Sequence, residues 1–316
     1  MPPNPLTPPT LARTFKVSRS RVWLLLERAI ERALLWCGLL SIAVTLAIAA
    51  VLVHGSWQFF SDPNVSVWYF FTGAEWSASF ANPRYGIWPL LTGTLMVAGI
   101  AACIALPVGL TSAVYLSEYA TPRVRKTAKP VLELLAGIPT VVYGFFAVNT
   151  VTPFLGHVIP GLEQPYNMIG GGVVVGIMII PTVASLSEDA MRSVPRSLRD
   201  ASYALGANQF ETSTKVVLPA ALSGVVASFI LGLSRAVGET MAVSLACGDR
   251  TVFSLDPRGS IATMTSFIVR IAKGDVQHGS TDFNSLFAVG LTLFCMTLVM
   301  NIGAEWVRAR YRQVYQ

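Results

Sequence analysis

Six times along this chain an apolar run reaches the length needed to cross a lipid bilayer. A hydrocarbon core of ~30 Å takes about 20 helical residues. The runs are residues 33–53, 85–117, 131–154, 167–186, 219–247 and 284–304. Residues 85–117 contain no Asp, Glu, Lys or Arg, and 131–154 contain only Glu133. Lipid offers no partner for backbone N–H and C=O groups, so each run must satisfy its own as helix. The composition agrees: 53% of residues are hydrophobic and 13% charged, against about 25% charged in ordinary soluble domains. The expectation is an all-α, polytopic membrane protein with six transmembrane helices.

Lys and Arg collect in residues 1–32, 118–130, 187–218 and the tail from 305. The alternate loops hold only Arg84, Arg250, Arg258, Arg270 and Lys273. Basic residues mark cytoplasmic loops, so both termini are expected in the cytoplasm, with the chain in the inner (plasma) membrane. The net charge of +6 follows from this bias and calls for no nucleic acid. The layout is then a cytoplasmic tail and short amphipathic helix (1–32), a transmembrane domain in contact with membrane lipid (33–304) and a second cytoplasmic tail (305–316). Residues 21–32 (RVWLLLERAIER) read equally as a helix lying on the inner surface or as an extension of the first span. The proline-rich opening reads as a tail. No small-x-small cleavage site follows the first run, so it is expected to remain as a span. Cys37, Cys103, Cys247 and Cys295 show neither disulfide nor metal spacing, and His54, His157 and His278 fall in loops expected outside.

The polar segment 187–218 is patterned. Leu198, Ala201, Ser202 and Leu205 fall at i, i+3, i+4, i+7, one face of a helix. Gly206 follows where a C-terminal glycine belongs, and Asn208 with Glu211 forms a capping-box spacing for a second helix. A helix, glycine turn and helix on the cytoplasmic side suits insertion into a groove on a soluble partner. Asp200-Ala201-Ser202, three residues, Gly206, nine residues, then Val216-Val217-Leu218-Pro219 resembles the E-A-A-x3-G-x9-I-x-L-P motif of ABC importer permeases. Asp for Glu, Ser for the second Ala and Val for Ile are the departures. In that family the segment docks on an ATPase subunit, which the resemblance assigns here to Asp200, Ala201, Leu205, Gly206, Phe210 and Glu211.

The stretch LGLSRAVGETMAVSL (231–245) places Arg235 and Glu239 in the middle of an apolar run. Charge at mid-membrane costs about 2.5–3.5 kcal/mol on insertion scales, so it needs a reason. Four residues apart, the two share a face if the helix is continuous. Gly224, Ser228, Gly232, Ala236 and Thr240 form an adjacent row of small residues that lets helices approach closely. Three readings stay open: Glu239 neutralises Arg235 as structural glue; Arg235, with Glu239 and Thr240, meets an oxyanion on the translocation path; or the pair is a gate. In the second, a protonated oxyanion oxygen could donate to Glu239, which a fully deprotonated oxyanion cannot do.

Arg235-Ala236-Val237-Gly238-Glu239-Thr240-Met241 is similar to the R-A-x-G-E-T-M segment of phosphate-specific importer permeases, and Gly137-Ile138-Pro139-Thr140-Val141-Val142-Tyr143-Gly144-Phe145 to another segment of them. The resemblance is to the PstC type and runs from about residue 85 onward. It implies the type I (MetI-like) ABC importer architecture, a homologous second permease, two ATPase subunits, an extracytoplasmic phosphate-binding protein, and phosphate carried by alternating access. Sulfate or molybdate is the substrate alternative, and a secondary anion transporter the mechanistic one. A purely structural anchor would tolerate loss of Arg235 and Glu239. The chain has no G-x4-G-K-[ST] loop, so it is expected to be no enzyme and to hold no cofactor, with ATP and Mg on the partner ATPase.

Pro107, Pro139 and Pro181 fall within runs, and Gly170-Gly171-Gly172 opens the fourth. The apolar stretch 261–272 reads as a short helix at the outer surface, where a binding protein could dock, or as a re-entrant segment.

Overall fold

The computed structural model describes residues 21–77, 83–274 and 276–311, and they form helices joined by turns with two isolated β-bridges. The opening residues 1–20 and the last five lie outside the described residues. The chain divides into two compact units, Met1–Ala50 and Val51–Gln316.

Helix α1 (Arg21–Phe60) runs without a break, so residues 21–32 extend the first span. In the first unit its side chains from 26 to 48 are all exposed, and a helix apolar on every side belongs in lipid.

The second unit is built on α3 (Trp88–Val114), which follows the short α2 (Val67–Thr72), and α7 (Met168–Arg192), with α4 (Pro122–Ala136), α5 (Thr140–Phe146) and α6 (Thr152–Val158) between them in chain order. Small residues set the α3–α7 approach: a Cβ on Gly172 would stand 2.6 Å from Ile100, and one on Gly109 would stand 2.7 Å from Val183. The glycine triplet at the start of α7 thus serves packing, since a Cβ on Gly171 would also strike Cys247.

Two of the six runs are broken. Run 131–154 is interrupted at Gly137-Ile138-Pro139: α4 ends at Ala136, and the span is Thr140–Val158 with a π-helical turn at Ala147–Val151. Pro139 has no N–H and disfavours helical backbone at Ile138. In run 219–247 the segment Gln209–Ala220, which contains α9 (Gln209–Thr212), a π-helical turn and α10 (Leu218–Ala220), meets α11 (Leu222–Val237) at 72°. Pro219 lies at this bend. After Val237 the chain turns through Gly238, Glu239 and Thr240 into α12 (Met241–Ala246). Among the described residues five helices are therefore long and apolar enough to cross a membrane, and the bent pair, if it is one span, makes six.

The first three of the row of small residues face α7, whereas Thr240 lies beyond the end of α11 and leaves the row. Gly224 lies against Ala190, Ser228 Oγ bonds Ser187 Oγ at 2.6 Å, and Gly232 lies against Val183.

Stretch 261–272 is not a surface helix. Helix α13 (Met264–Lys273) begins with a reciprocal Thr263–Ser266 capping box, and Ile261, Ala262, Met264 and Phe267 are fully buried. Met264 N–H donates to Thr94 Oγ1 at 3.0 Å. The segment is tucked into the fold, leaving only its second half accessible. Phe267 joins Phe59, Phe70, Trp76 and Tyr85 in a cluster of edge-to-face rings, with Trp76 and Phe267 centroids 4.8 Å apart.

Helix α14 (Thr281–Tyr311) closes the unit, and Tyr85 Oη donates to its Asp282 Oδ1 at 2.5 Å. Burial, then this hydrogen bond and the Asp282 charge, push the Tyr85 pKa above the ordinary 10.0. The folded state holds the proton more tightly, so this contribution to stability is full below pH 10.0 and lost as pH rises through the raised value. A difference absorbance titration, wild type minus Tyr85→Phe, is expected to show no tyrosinate step at pH 10.0; a step there would refute the buried hydrogen bond.

Candidate functional site

Arg235 and Glu239 occupy opposite sides of a helix break. Arg235 is in the last turn of α11, which stops at Val237 with Gly238 as its C-cap. Glu239 lies beyond that cap, so the shared face expected from i,i+4 spacing does not exist. No ion pair joins the two among the described residues. Structural glue through mutual neutralisation therefore lacks its contact.

Each side chain is held by something else. Arg235 Nη1 donates to Thr182 Oγ1 of α7 at 3.0 Å, next to Pro181. This is the only hydrogen bond of the Arg235 side chain within the described residues, and the residue is half-buried. The rest of the guanidinium makes no hydrogen bond among the described residues. Glu239 is 8% exposed; its Oε1 accepts from Ala242 N–H at 3.2 Å, and its carbonyl accepts from Thr265 Oγ1 at 2.8 Å. It thus caps the start of α12 while α13 holds its backbone. Thr240, half-buried, is the N-cap residue of α12, and its Oγ1 donates to Gly238 O at 3.2 Å.

Helix α5 packs on the same break. A Cβ on Gly144 would stand 2.9 Å from Leu245 and 3.1 Å from Ala242. The GIPTVVYGF and RAVGETM segments, far apart in sequence, thus form one neighbourhood. Thr182 and Thr265 also belong to it and carried no signal in the sequence, because a lone threonine in an apolar run has none.

The second candidate region is the elbow after α7. Helix α8 (Arg196–Ala204) ends with Leu205 as C-cap, Gly206 has φ +86°, and Asn208 and Glu211 complete a reciprocal capping box for α9. Positive φ is what Gly supplies without a Cβ clash. The expected apolar face is divided: Ser202 is buried and Leu198 partly so, whereas Ala201 and Leu205 point outward. Leu205 is 89% exposed and Phe210 66%, with Asp200 exposed and Glu211 half-exposed. Beneath the elbow, Arg199 forks onto Glu118 at 2.9 and 3.1 Å, a carboxylate with 4% of its side chain exposed. This charge-assisted base lies under two large apolar side chains, Leu205 and Phe210, that are exposed in this chain.

Residues 105–313 match the family described as binding-protein-dependent transport system inner membrane component. The chain is 35% identical over 274 residues to the probable ABC transporter permease protein YqgH of Bacillus subtilis, covering 87% of this chain and 88% of that one. It is 32% identical over 299 residues to the phosphate transport system permease protein PstC of Haemophilus influenzae, covering 87% and 91%. To PstC 1 of Mycobacterium tuberculosis it is 35% identical, covering 75% and 80%. Among solved structures, the bacterial alginate ABC transporter superposes with TM-score 0.62 at 16% identity, over 91% of this chain and 99% of that one. The inward-facing MetNI methionine ABC transporter superposes with TM-score 0.53 at 18% identity, over 72% and 95%. The two structures share the fold; the sequence relatives fix the family. With the broken span, the elbow and these matches together, the chain belongs to the binding-protein-dependent transport system inner membrane components and, among them, to the PstC-type ABC importer permeases.

Proposed function

We propose that this permease carries inorganic phosphate inward across the plasma membrane, with Arg235, Glu239 and Thr240 on the path. The observation that carries the reading is the Arg235 guanidinium, anchored at one nitrogen by Thr182 and otherwise uncommitted at a helix break. A planar fork of N–H groups matches two oxygens of a tetrahedral oxyanion. Glu239 commits Oε1 to Ala242, which leaves Oε2 to accept from a protonated phosphate oxygen.

The permease works in a complex with a homologous second permease, two ATPase subunits that hold ATP and Mg, and an extracytoplasmic phosphate-binding protein. Both termini are cytoplasmic, the tails being 1–32 and 305–316 around a permease domain of 33–304. The elbow, with Asp200, Ala201, Leu205, Gly206, Phe210 and Glu211, seats on the ATPase. Closure of the ATPases pushes α8, and the push changes span packing so that the cavity at Arg235 faces outward. The binding protein delivers phosphate there, and hydrolysis restores the inward state.

The test is uptake by proteoliposomes holding the full complex, with phosphate, sulfate or molybdate supplied on loaded binding protein. Phosphate uptake that requires ATP is the expected result. Uptake of sulfate or molybdate in preference would reassign the substrate, and uptake without ATP would reassign the mechanism.

A further inference from the structure

Glu188 sits near the end of α7, just before the elbow, with 1% of its side chain exposed. Three cations surround it. Lys129 Nζ bonds Oε2 at 2.9 Å, while Arg125 Nε and Arg192 Nη1 stand 3.4 and 3.5 Å from Oε1. Lys129 also bonds Asp189 at 2.5 Å. Burial weighs against the Lys129 charge, but its hydrogen bonds to Asp189 and Glu188 outweigh it and hold its pKa above the ordinary lysine value. A carboxylate so deeply buried persists only with partners, and two of the three here, Arg125 and Lys129, come from another helix, α4, while Arg192 belongs to α7 itself.

The contacts continue into a closed circuit. Arg125 Nη2 donates to the carbonyls of Leu116 and Ser117 at 2.5 and 2.9 Å, in the π-helical turn Tyr115–Tyr119 that ends α3. The same turn carries Glu118, which takes the fork of Arg199 from α8. Arg199 then donates to Val194 O at 2.6 Å and Met191 O at 3.0 Å, back at the end of α7. Gln209 of α9 adds a bond to Glu118 O at 2.6 Å. The circuit runs α7, α4, α3, α8 and back to α7, so α8 cannot shift without the ends of both central helices.

The circuit is incomplete at one point. Glu188 Oε1 is buried and has no hydrogen bond among the described residues, while Arg125 turns its Nε and Nη2 groups to the carbonyls of Leu116 and Ser117. Arg125 thus stands between two sets of acceptors and can shift toward either, as an element with two arrangements must.

We propose that Glu188 is the positioning residue that couples elbow movement to the spans, by holding Arg125 and Lys129 of α4 against α7. The proposal rests on the reading that ATPase force enters at the elbow. Glu188 touches no substrate; it acts through α4, which leads into the broken span packed on the Arg235 neighbourhood.

The experiment measures phosphate imported per ATP hydrolysed in the full complex, for wild type, Glu188→Gln and Arg125→Lys. A residue needed only for folding lowers both rates with the amount of assembled complex and leaves the ratio alone. Expected is a fall in the ratio of about tenfold for Glu188→Gln and about threefold for Arg125→Lys, at unchanged assembly. An unchanged ratio in Glu188→Gln overturns the proposal. If that variant fails to assemble, Arg125→Lys decides by the same criterion.

Wild type is read first. If it imports no phosphate, the substrate reading fails, and the coupling is read from the ATP-driven change in distance between spin labels at Arg196→Cys and His157→Cys, with the native cysteines replaced. A change that survives Glu188→Gln in full overturns the coupling role; its loss supports it.

Discussion

Arg235→Ala is expected to abolish most ATP-dependent phosphate uptake while leaving complex assembly and basal ATPase activity in place. Charge-assisted hydrogen bonds contribute about 1.5–3 kcal/mol each, so losing one contact with the anion lowers uptake roughly tenfold to a hundredfold. Assembly survives because Arg235 makes one hydrogen bond, to Thr182, and no ion pair depends on it. Arg235→Lys keeps the charge but not the fork, and is expected to fall between wild type and alanine. Glu239→Gln separates the two roles of that side chain. A glutamine oxygen still accepts from Ala242 N–H, so the cap of α12 remains. The other carboxylate oxygen becomes an amide donor, which repels a P–OH and welcomes a fully deprotonated oxyanion. The expected signature is weaker phosphate uptake with a relative gain for sulfate. If uptake is unchanged in Arg235→Ala, the path lies elsewhere, and the break around Gly238 is structural.

The spans were legible because hydrophobic length is a local property of the chain. Residues 85–117 and 167–186 could hardly be anything else in lipid, and both became the central helices α3 and α7. The elbow was legible for the same reason: Gly206 and the Asn208–Glu211 spacing are local rules of helix ends, and the structure obeys both. What failed was continuity. Runs 131–154 and 219–247 are apolar throughout enough of their length to read as single helices, yet Pro139, Pro219 and Gly238 break them. Hydropathy does not register a change of direction. The supposed Arg235–Glu239 face was lost with the helix that would have carried it. Glu118 and Glu188 were missed for a different reason. Each stands at the end of an apolar run, where an acidic residue looks like a boundary marker. Their partners Arg199 and Lys129 lie 81 and 59 residues away in sequence, and no local pattern links them. The burial of residues 261–267 likewise depends on Thr94 and Trp76, from other parts of the chain.

Leu205→Ala combined with Phe210→Ala is expected to uncouple the permease from its ATPase. Both side chains are exposed in this chain alone, at 89% and 66%, so the substitutions remove little from its own core. Large destabilisation needs a buried contact, a cap or a strained backbone, and none is altered. Thermal stability of the isolated permease is therefore expected to stay within ~0.5 kcal/mol of wild type. In the complex the same side chains would leave water, and full burial of each contributes about 1.5–3 kcal/mol. Losing both should weaken ATPase association by roughly a hundredfold or more, read as loss of co-purification and of uptake together. Gly206→Val attacks the same surface by another route. Its φ of +86° suits Gly and costs a side-chain-bearing residue about 1–2 kcal/mol, enough to displace Leu205 and Phe210 without touching either. The three outcomes are mechanically distinct. A defect at Arg235 stops phosphate with the ATPase still bound and active. A defect at Glu188 leaves the ATPase bound and hydrolysis poorly used. A defect at Leu205 and Phe210 removes the ATPase itself. If the double alanine variant retained its ATPase at wild-type affinity, the exposed pair would not be the docking surface, and force would have to enter this fold at some point other than the elbow.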